Sequence, residues 1–191
     1  MKENPEIWDA AFKTWFRFKV ESIPDTYITG DAANIGGWLY KNIWAKPSQR
    51  KLIQAAMPEH YSKISTFMED IRRTGIIFGK ESRTAVAAED IAELKRAGTP
   101  AVARWLEAPR AELRRRIAEV FRGRYYDKLM DEILSPRGFE LLKRAQSVSP
   151  GGTKFLNYMG TFFGNVMGQK WEPVTVPKKG KALEDATRRR N

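Results

Sequence analysis

Three prolines do most to limit what this chain can fold into. Each follows a short apolar run: Trp44-Ala45-Lys46-Pro47, Leu106-Glu107-Ala108-Pro109 and Leu134-Ser135-Pro136. A proline has no backbone donor to give a helix interior, yet its fixed φ suits the first helical position. Each joint therefore predicts one helix ending and another beginning at once. Pro58 is expected to open a longer helix in the same way. The chain reads as a string of short, closely linked helices, with no convincing sheet.

Apolar spacing supports this. Between Glu6 and Val20, Trp8, Phe12 and Trp15 fall at i, i+4 and i+7, Phe16 and Phe18 widen the stripe, and Lys13, Arg17 and Lys19 interleave with it. A helix is expected, although Phe16-Arg17-Phe18-Lys19-Val20 also alternates like a strand. Rings beside cations suit a membrane interface or a stacked base, and equally docking on the core or on a partner subunit. The stretch from Pro24 to Gly37 reads as a linker, because Gly30, Asn34, Gly36 and Gly37 crowd it. Helices are expected over 38–45, over 47–57 and from Pro58 onward. In the last of these Ile64, Phe67, Met68 and Ile71 form a buried stripe, and Gly75 is placed to end it. Ser82 or Thr84 caps the helix that follows, which ends at Gly98, and Thr99-Pro100 launches a short one with Val102, Trp105 and Leu106 inward. Pro109 then starts another, with Leu113, Ile117, Val120 and Phe121 on its stripe and Gly123 as its break. Helices over 125–134 and 136–147 complete the run.

The expected class is all-α: a compact array of short helices joined at prolines, with an aromatic N-terminal arm and an extended basic C-terminal tail. The expected divisions are 1–37 (aromatic arm and linker), 38–147 (helical domain), 148–169 (glycine-rich apolar segment) and 170–191 (basic tail). Trp44-x-x-Pro47 and Leu106-x-x-Pro109 each lead to an aromatic pair, His60-Tyr61 and Tyr125-Tyr126, and then to an apolar stripe. A duplicated helical hairpin and the ordinary grammar of short helices both account for that parallel.

The 191 residues suit one domain with appendages or two very small ones. Having no cysteine, the chain lacks disulfides, thiolate metal sites and cysteine nucleophiles, and its single histidine, His60, cannot build a multi-histidine metal site. No uncharged run approaches the length of a spanning helix. The formal charge of +11 favours polyanions, nucleic acid or an anionic membrane, through non-specific electrostatics.

Arg110, Arg114, Arg115, Arg116, Arg122 and Arg124 crowd one predicted helix and its end, against Glu112 and Glu119. Arginine forks match phosphate, and Arg115 and Arg122, joined by Arg110 and Arg114 in a wider reading, avoid the apolar stripe and offer a basic face. The competing reading is a solvated helix face paired with neighbouring carboxylates. Arg115, Arg122 and Arg124, with Lys178, Lys179, Arg188, Arg189 and Arg190 of the tail, are the candidate nucleic-acid contacts. Gly160, Gly164 and Gly168 recur every fourth residue and would line one side of a helix that another backbone can approach closely. They and Trp8, Phe12 and Trp15 are the candidate interface, first of an oligomer and second of a membrane. Ser149-Pro150-Gly151-Gly152-Thr153-Lys154 has the wrong order for a phosphate loop and no preceding strand. Glu59 and His60, adjacent on a helix, point in different directions, and no serine or second histidine completes an acid–base arrangement with them. No catalytic residue, cofactor or metal is expected.

The order of several short motifs resembles one family. Pro58-Glu59-His60-Tyr61, Phe67-Met68-Glu69, Thr74-Gly75 and Glu81-Ser82-Arg83-Thr84-Ala85 are similar to a proline-glutamate helix start and serine-x-threonine-alanine cap in the helical C-terminal regions of large tailed-phage internal virion, or ejection, proteins. Ile133-Leu134-Ser135-Pro136-Arg137-Gly138 is similar to their leucine-x-proline-x-glycine box, and Ser149-Pro150-Gly151-Gly152 to a following turn. The likeness covers roughly Ile35 to Gly164. It implies a non-enzymatic component of the capsid interior or portal and tail, passing to the host envelope after ejection. Its implied partners are other copies, portal or tail proteins, DNA and membrane. The alternative is a basic DNA-binding or scaffolding protein with no part in ejection.

Overall fold

The computed structural model describes residues 5–29, 34–78 and 102–175. In chain order they form α1 (Pro5–Glu21), α2 (Asp25–Thr29), α3 (Ile35–Leu39), α4 (Pro47–Ala56), α5 (Tyr61–Phe78), α6 (Val102–Glu119), α7 (Tyr126–Leu134), α8 (Pro136–Gln146) and α9 (Thr153–Met167). Wider turns at Tyr40–Trp44 and Val120–Arg124 prolong α3 and α6. In the first, the Ala45 N–H donates to the Tyr40 carbonyl at 2.7 Å. No strand occurs among the described residues, so the all-α expectation stands. Of the tail expected over 170–191, residues 170–175 lie against α9, where Trp171 is buried and bonded to Asn157, and the part from 176 onward lies outside the described residues, as do the caps at Ser82, Thr84 and Thr99-Pro100.

The segment with the most continuous apolar sequence becomes the central helix. Phe155, Leu156, Met159, Phe162 and Phe163 of α9 are wholly buried. α6, α7 and α8 pack around α9, while α5 crosses α3 and α8. Phe67 of α5 meets Phe162 at 5.9 Å between ring centres. α1 joins the same core: Phe12, Phe16 and Val20 are buried, Phe16 lies 6.0 Å from Tyr126, and the Tyr126 hydroxyl donates to the Lys13 carbonyl.

Two proline joints form as expected. At Pro47 the helix restarts after extended Lys46, and at Pro136 it restarts after Ser135, whose hydroxyl accepts from the Gly138 N–H at 2.8 Å. The third does not. Pro109 lies inside α6, which runs unbroken through it, because Leu106, Leu113 and Ile117 form one buried stripe on both sides. Burial of that stripe outweighs the roughly 3 kcal/mol that an interior proline costs. The parallel between the Pro47 and Pro109 regions fails with it. Pro58, Glu59 and His60 form a turn, and α5 starts only at Tyr61.

Glycines expected to end a helix or loosen a linker here serve close approach between helices. Gly75 does not end α5, which continues to Phe78, and the expected linker residues Asn34, Gly36 and Gly37 begin α3. A Cβ on Gly36 would stand 1.7 Å from the Ile71 carbonyl oxygen, and one on Gly75 would stand 2.2 Å from Asn34 Oδ1. The α3–α5 crossing is thus backbone against backbone, locked by Asn34, whose side chain accepts from the Gly37 N–H at 2.6 Å. Gly123, at φ 91°, does break the helix as expected, since an L side chain rarely adopts that angle.

Candidate nucleic-acid and partner interfaces

The arginine-rich face of α6 is mostly engaged within the chain. Arg115 donates to both oxygens of Glu112, at 2.8 and 2.9 Å, and to Glu119 at 2.8 Å. Residues at i+3 and i+4 share a helix side, so this net follows from sequence spacing. Hydrogen bonds from Arg115 and then Arg116 hold the Glu112 carboxyl down at about 2, although its partial burial opposes them. Arg116 turns inward: it is 7% exposed, donates to Glu112 at 2.8 Å and to the Lys170 carbonyl at 3.0 Å, and lies 5.2 Å over the Trp171 ring.

Arg122 is exposed, beside a groove of about 540 Å³ that it shares with Arg17, Glu21 and Asp25 above an apolar floor of Ile28 and Phe121. Arg17 is bonded to Glu21 at 2.9 Å. Arg124 belongs to the turn after α6, and its side chain lies outside the described residues, as do Lys178, Lys179, Arg188, Arg189 and Arg190. The structure therefore places two of the candidate DNA contacts and brings neither into a shared basic patch. Arg115 follows the carboxylate-paired reading.

The glycine side of α9 is already covered. A Cβ on Gly160 would lie 2.2 Å from the Trp171 ring, and one on Gly164 would lie 2.5 Å from the Gln169 carbonyl oxygen and 3.0 Å from Arg116 Nη1. The chain's own 169–171 segment is the close neighbour that the spacing anticipated, so Gly160 and Gly164 do not offer an interface to another copy. Gly168 is exposed and caps α9 at φ 68°. The covering strap is fixed by Asn157, whose side chain accepts from Trp171 Nε1 at 3.1 Å and from the Val174 N–H at 2.7 Å.

Of the aromatic candidates, Phe12 is core. Trp8 and Trp15 are half-buried and wall an apolar groove between α1 and α4.

Sequence reasoning missed one buried ionic group. Asp70 is fully buried beside Arg73, 3.3 Å away, and burial raises its carboxyl to about 7 against the pull of that arginine. Arg73 also donates to the carbonyls of Ala145, at 2.7 Å, and Val148, and lies 4.9 Å over the Phe155 ring. It thereby satisfies the carbonyl-rich end of α8. The signal was present: Asp70 follows Phe67 by three residues, on the apolar side of α5.

Comparison with protein-family models, curated proteins and solved structures finds no match. Among the described residues no group of three or more His, Asp or Glu side chains could hold a metal ion, and no helix is long and apolar enough to cross a membrane. Of the short motifs singled out in the sequence, Thr74-Gly75 lies against α3 and Ser135 to Gly138 forms the α7–α8 joint, Phe67 and Met68 are core, and Glu81 to Ala85 lie outside the described residues.

Proposed function

We propose that this chain is a non-enzymatic component of a tailed-phage virion, an internal or ejection protein that associates with its own copies and contacts DNA, portal or tail proteins, or host membrane during genome delivery. One observation carries the reading. The leucine-x-proline-x-glycine box acts as a structural joint, with Pro136 at a helix start, Ser135 as its cap and Gly138 so close to the Glu132 carbonyl oxygen that a Cβ would sit 1.9 Å from it. A box that serves as a helix joint supports a structural role, which is what the resemblance would have it do. The surplus of +11 supports contact with packaged nucleic acid, through Arg122, Arg124 and the basic residues from Lys178 to Arg190 more than through Arg115.

Mass spectrometry of purified virions tests this directly: the chain is expected among the particle proteins, and its absence from particles whose genome encodes it overturns the proposal. If it is absent there yet binds DNA with steep salt dependence, the basic DNA-binding or scaffolding alternative takes its place.

A further inference from the structure

We propose that the slot on α6 and α9 filled by residues 169–174 is a recognition site for that segment, and that the same segment of a second copy takes its place, joining two copies by exchange. The inference rests on the homo-oligomer in the proposed function and says what holds it together.

The segment is seated in the structure, so its recognition is read directly. After α9 the chain turns back at Gly168, and residues 169–175 run without helix or strand. They are held largely by their main chain. Asn157 binds Val174 on both sides, its Oδ1 accepting from the Val174 N–H at 2.7 Å and its Nδ2 donating to the Val174 carbonyl at 2.8 Å. The same Oδ1 accepts from Trp171 Nε1 at 3.1 Å. Arg116 Nη2 donates to the Lys170 carbonyl at 3.0 Å, and its guanidinium lies 5.2 Å over the indole. Trp171, 7% exposed, rests where a Cβ on Gly160 would stand 2.2 Å from the ring. Main-chain hydrogen bonds with a pocket for one side chain are how proteins bind an extended peptide.

The occupant follows from this. Every copy carries the same segment, and the fit of that segment is already on view. Its own tether is one exposed glycine, Gly168, at φ 68° and with nothing within 4 Å of where a Cβ would be. Each bond just named lies beyond that hinge, so a segment arriving from another copy remakes all of them. The seat is also imperfect: Arg116 Nη1 is buried with no acceptor, which lowers the cost of release. Exchange of an identical element about a hinge is an inexpensive route to a dimer. While its own segment is seated, the glycine side of α9 is closed to another copy; exchange opens it. The tether gives the chain's own segment an effective concentration in roughly the millimolar range, so the unaltered protein should be monomeric when dilute and pair when concentrated.

A fluorescein-labelled peptide of residues 168–175 tests the slot. By anisotropy it should bind the full chain carrying Trp171→Ala. Binding should weaken by about tenfold or more when the peptide's own tryptophan is alanine, or when Asn157→Ala is added to the protein. Gly168→Val tests the exchange, and decides the matter if Trp171→Ala fails to fold. A β-branched residue strains the turn at positive φ without touching a neighbour, so this variant should form more dimer than the unaltered chain in sedimentation, and excess peptide should dissolve that dimer. No binding to a folded Trp171→Ala chain, or binding indifferent to the peptide's tryptophan, overturns the proposal. So does a Gly168→Val chain that stays monomeric or forms a dimer the peptide leaves intact. If the peptide binds but Gly168→Val is monomeric, exchange between copies is refuted and the slot is left to a segment of another protein. A dimer indifferent to the peptide refutes the exchange while leaving the homo-oligomer and the virion reading intact.

Discussion

Asp70 lies on the apolar side of α5 with Arg73 drawn against it, and this one carboxyl should shape the pH response of the fold. Its value is about 7 when folded, against an ordinary 3.8. Between those limits the folded chain holds a proton that the unfolded chain has released. Folding is then favoured by protonation, so stability falls as pH rises through the window and levels off above it. The change should be on the order of a few kcal/mol. Glu112 works in the opposite sense: its carboxyl is held at about 2, so stability declines as pH falls from 4.5 toward that value. Urea denaturation across the pH range should find the greatest stability in mildly acidic solution, and Asp70→Asn should flatten the neutral limb. A curve rising from pH 4 to pH 7 in the unaltered protein would contradict the assignment. Gly160→Ala offers a second residue-level test. The added methyl must displace Trp171, so a loss of about 1–3 kcal/mol is expected, with a changed tryptophan emission.

At the level of elements, α6 and α8 respond oppositely to their prolines. Pro109 breaks the hydrogen-bond ladder of a helix that tertiary packing holds together, so Pro109→Ala should raise the melting temperature, equivalent to about 1 kcal/mol or more. Pro136 sits where it belongs, and the sensitive residue there is its neighbour: Ser135→Ala should cost about 1 kcal/mol through loss of the cap to Gly138, read by thermal denaturation. The contrast explains which elements were legible. Helix type, the Pro47 and Pro136 starts, the Gly123 break and the stripe of Ile64, Phe67, Met68 and Ile71 follow from local chemistry, and a sequence displays local chemistry directly. The continuity of α6 across Pro109 and of α5 across Gly75 depends on partners distant in the chain. So do the glycine contacts of α9, where a spacing that announces close approach does not say whose backbone approaches. The inward turn of Arg116 was hidden for the same reason, since Lys170 and Trp171 are its partners.

For the whole molecule, the distribution of paired and unpaired cations matters more than the net charge. If DNA is bound, Arg122→Glu should lower the slope of log affinity against log salt by about one. Arg115→Gln should leave it nearly unchanged, because that guanidinium is held by Glu112 and Glu119. Equal effects of the two substitutions, measured by fluorescence anisotropy, would show that Arg115 leaves its carboxylates to reach phosphate.

The reach of Arg73 limits how the chain can be divided. Its guanidinium terminates a helix 72 positions later in the sequence, so the two flanks of the 79–101 stretch complete each other's hydrogen bonding. A fragment ending at 78 would expose a buried ion pair with nothing to close it, and one starting at 102 would leave α8 with bare carbonyls. The two fragments are expected to be poorly folded apart and to recover helicity when mixed. That makes this chain a candidate for reconstitution from halves, and a poor one for dissection into independent pieces.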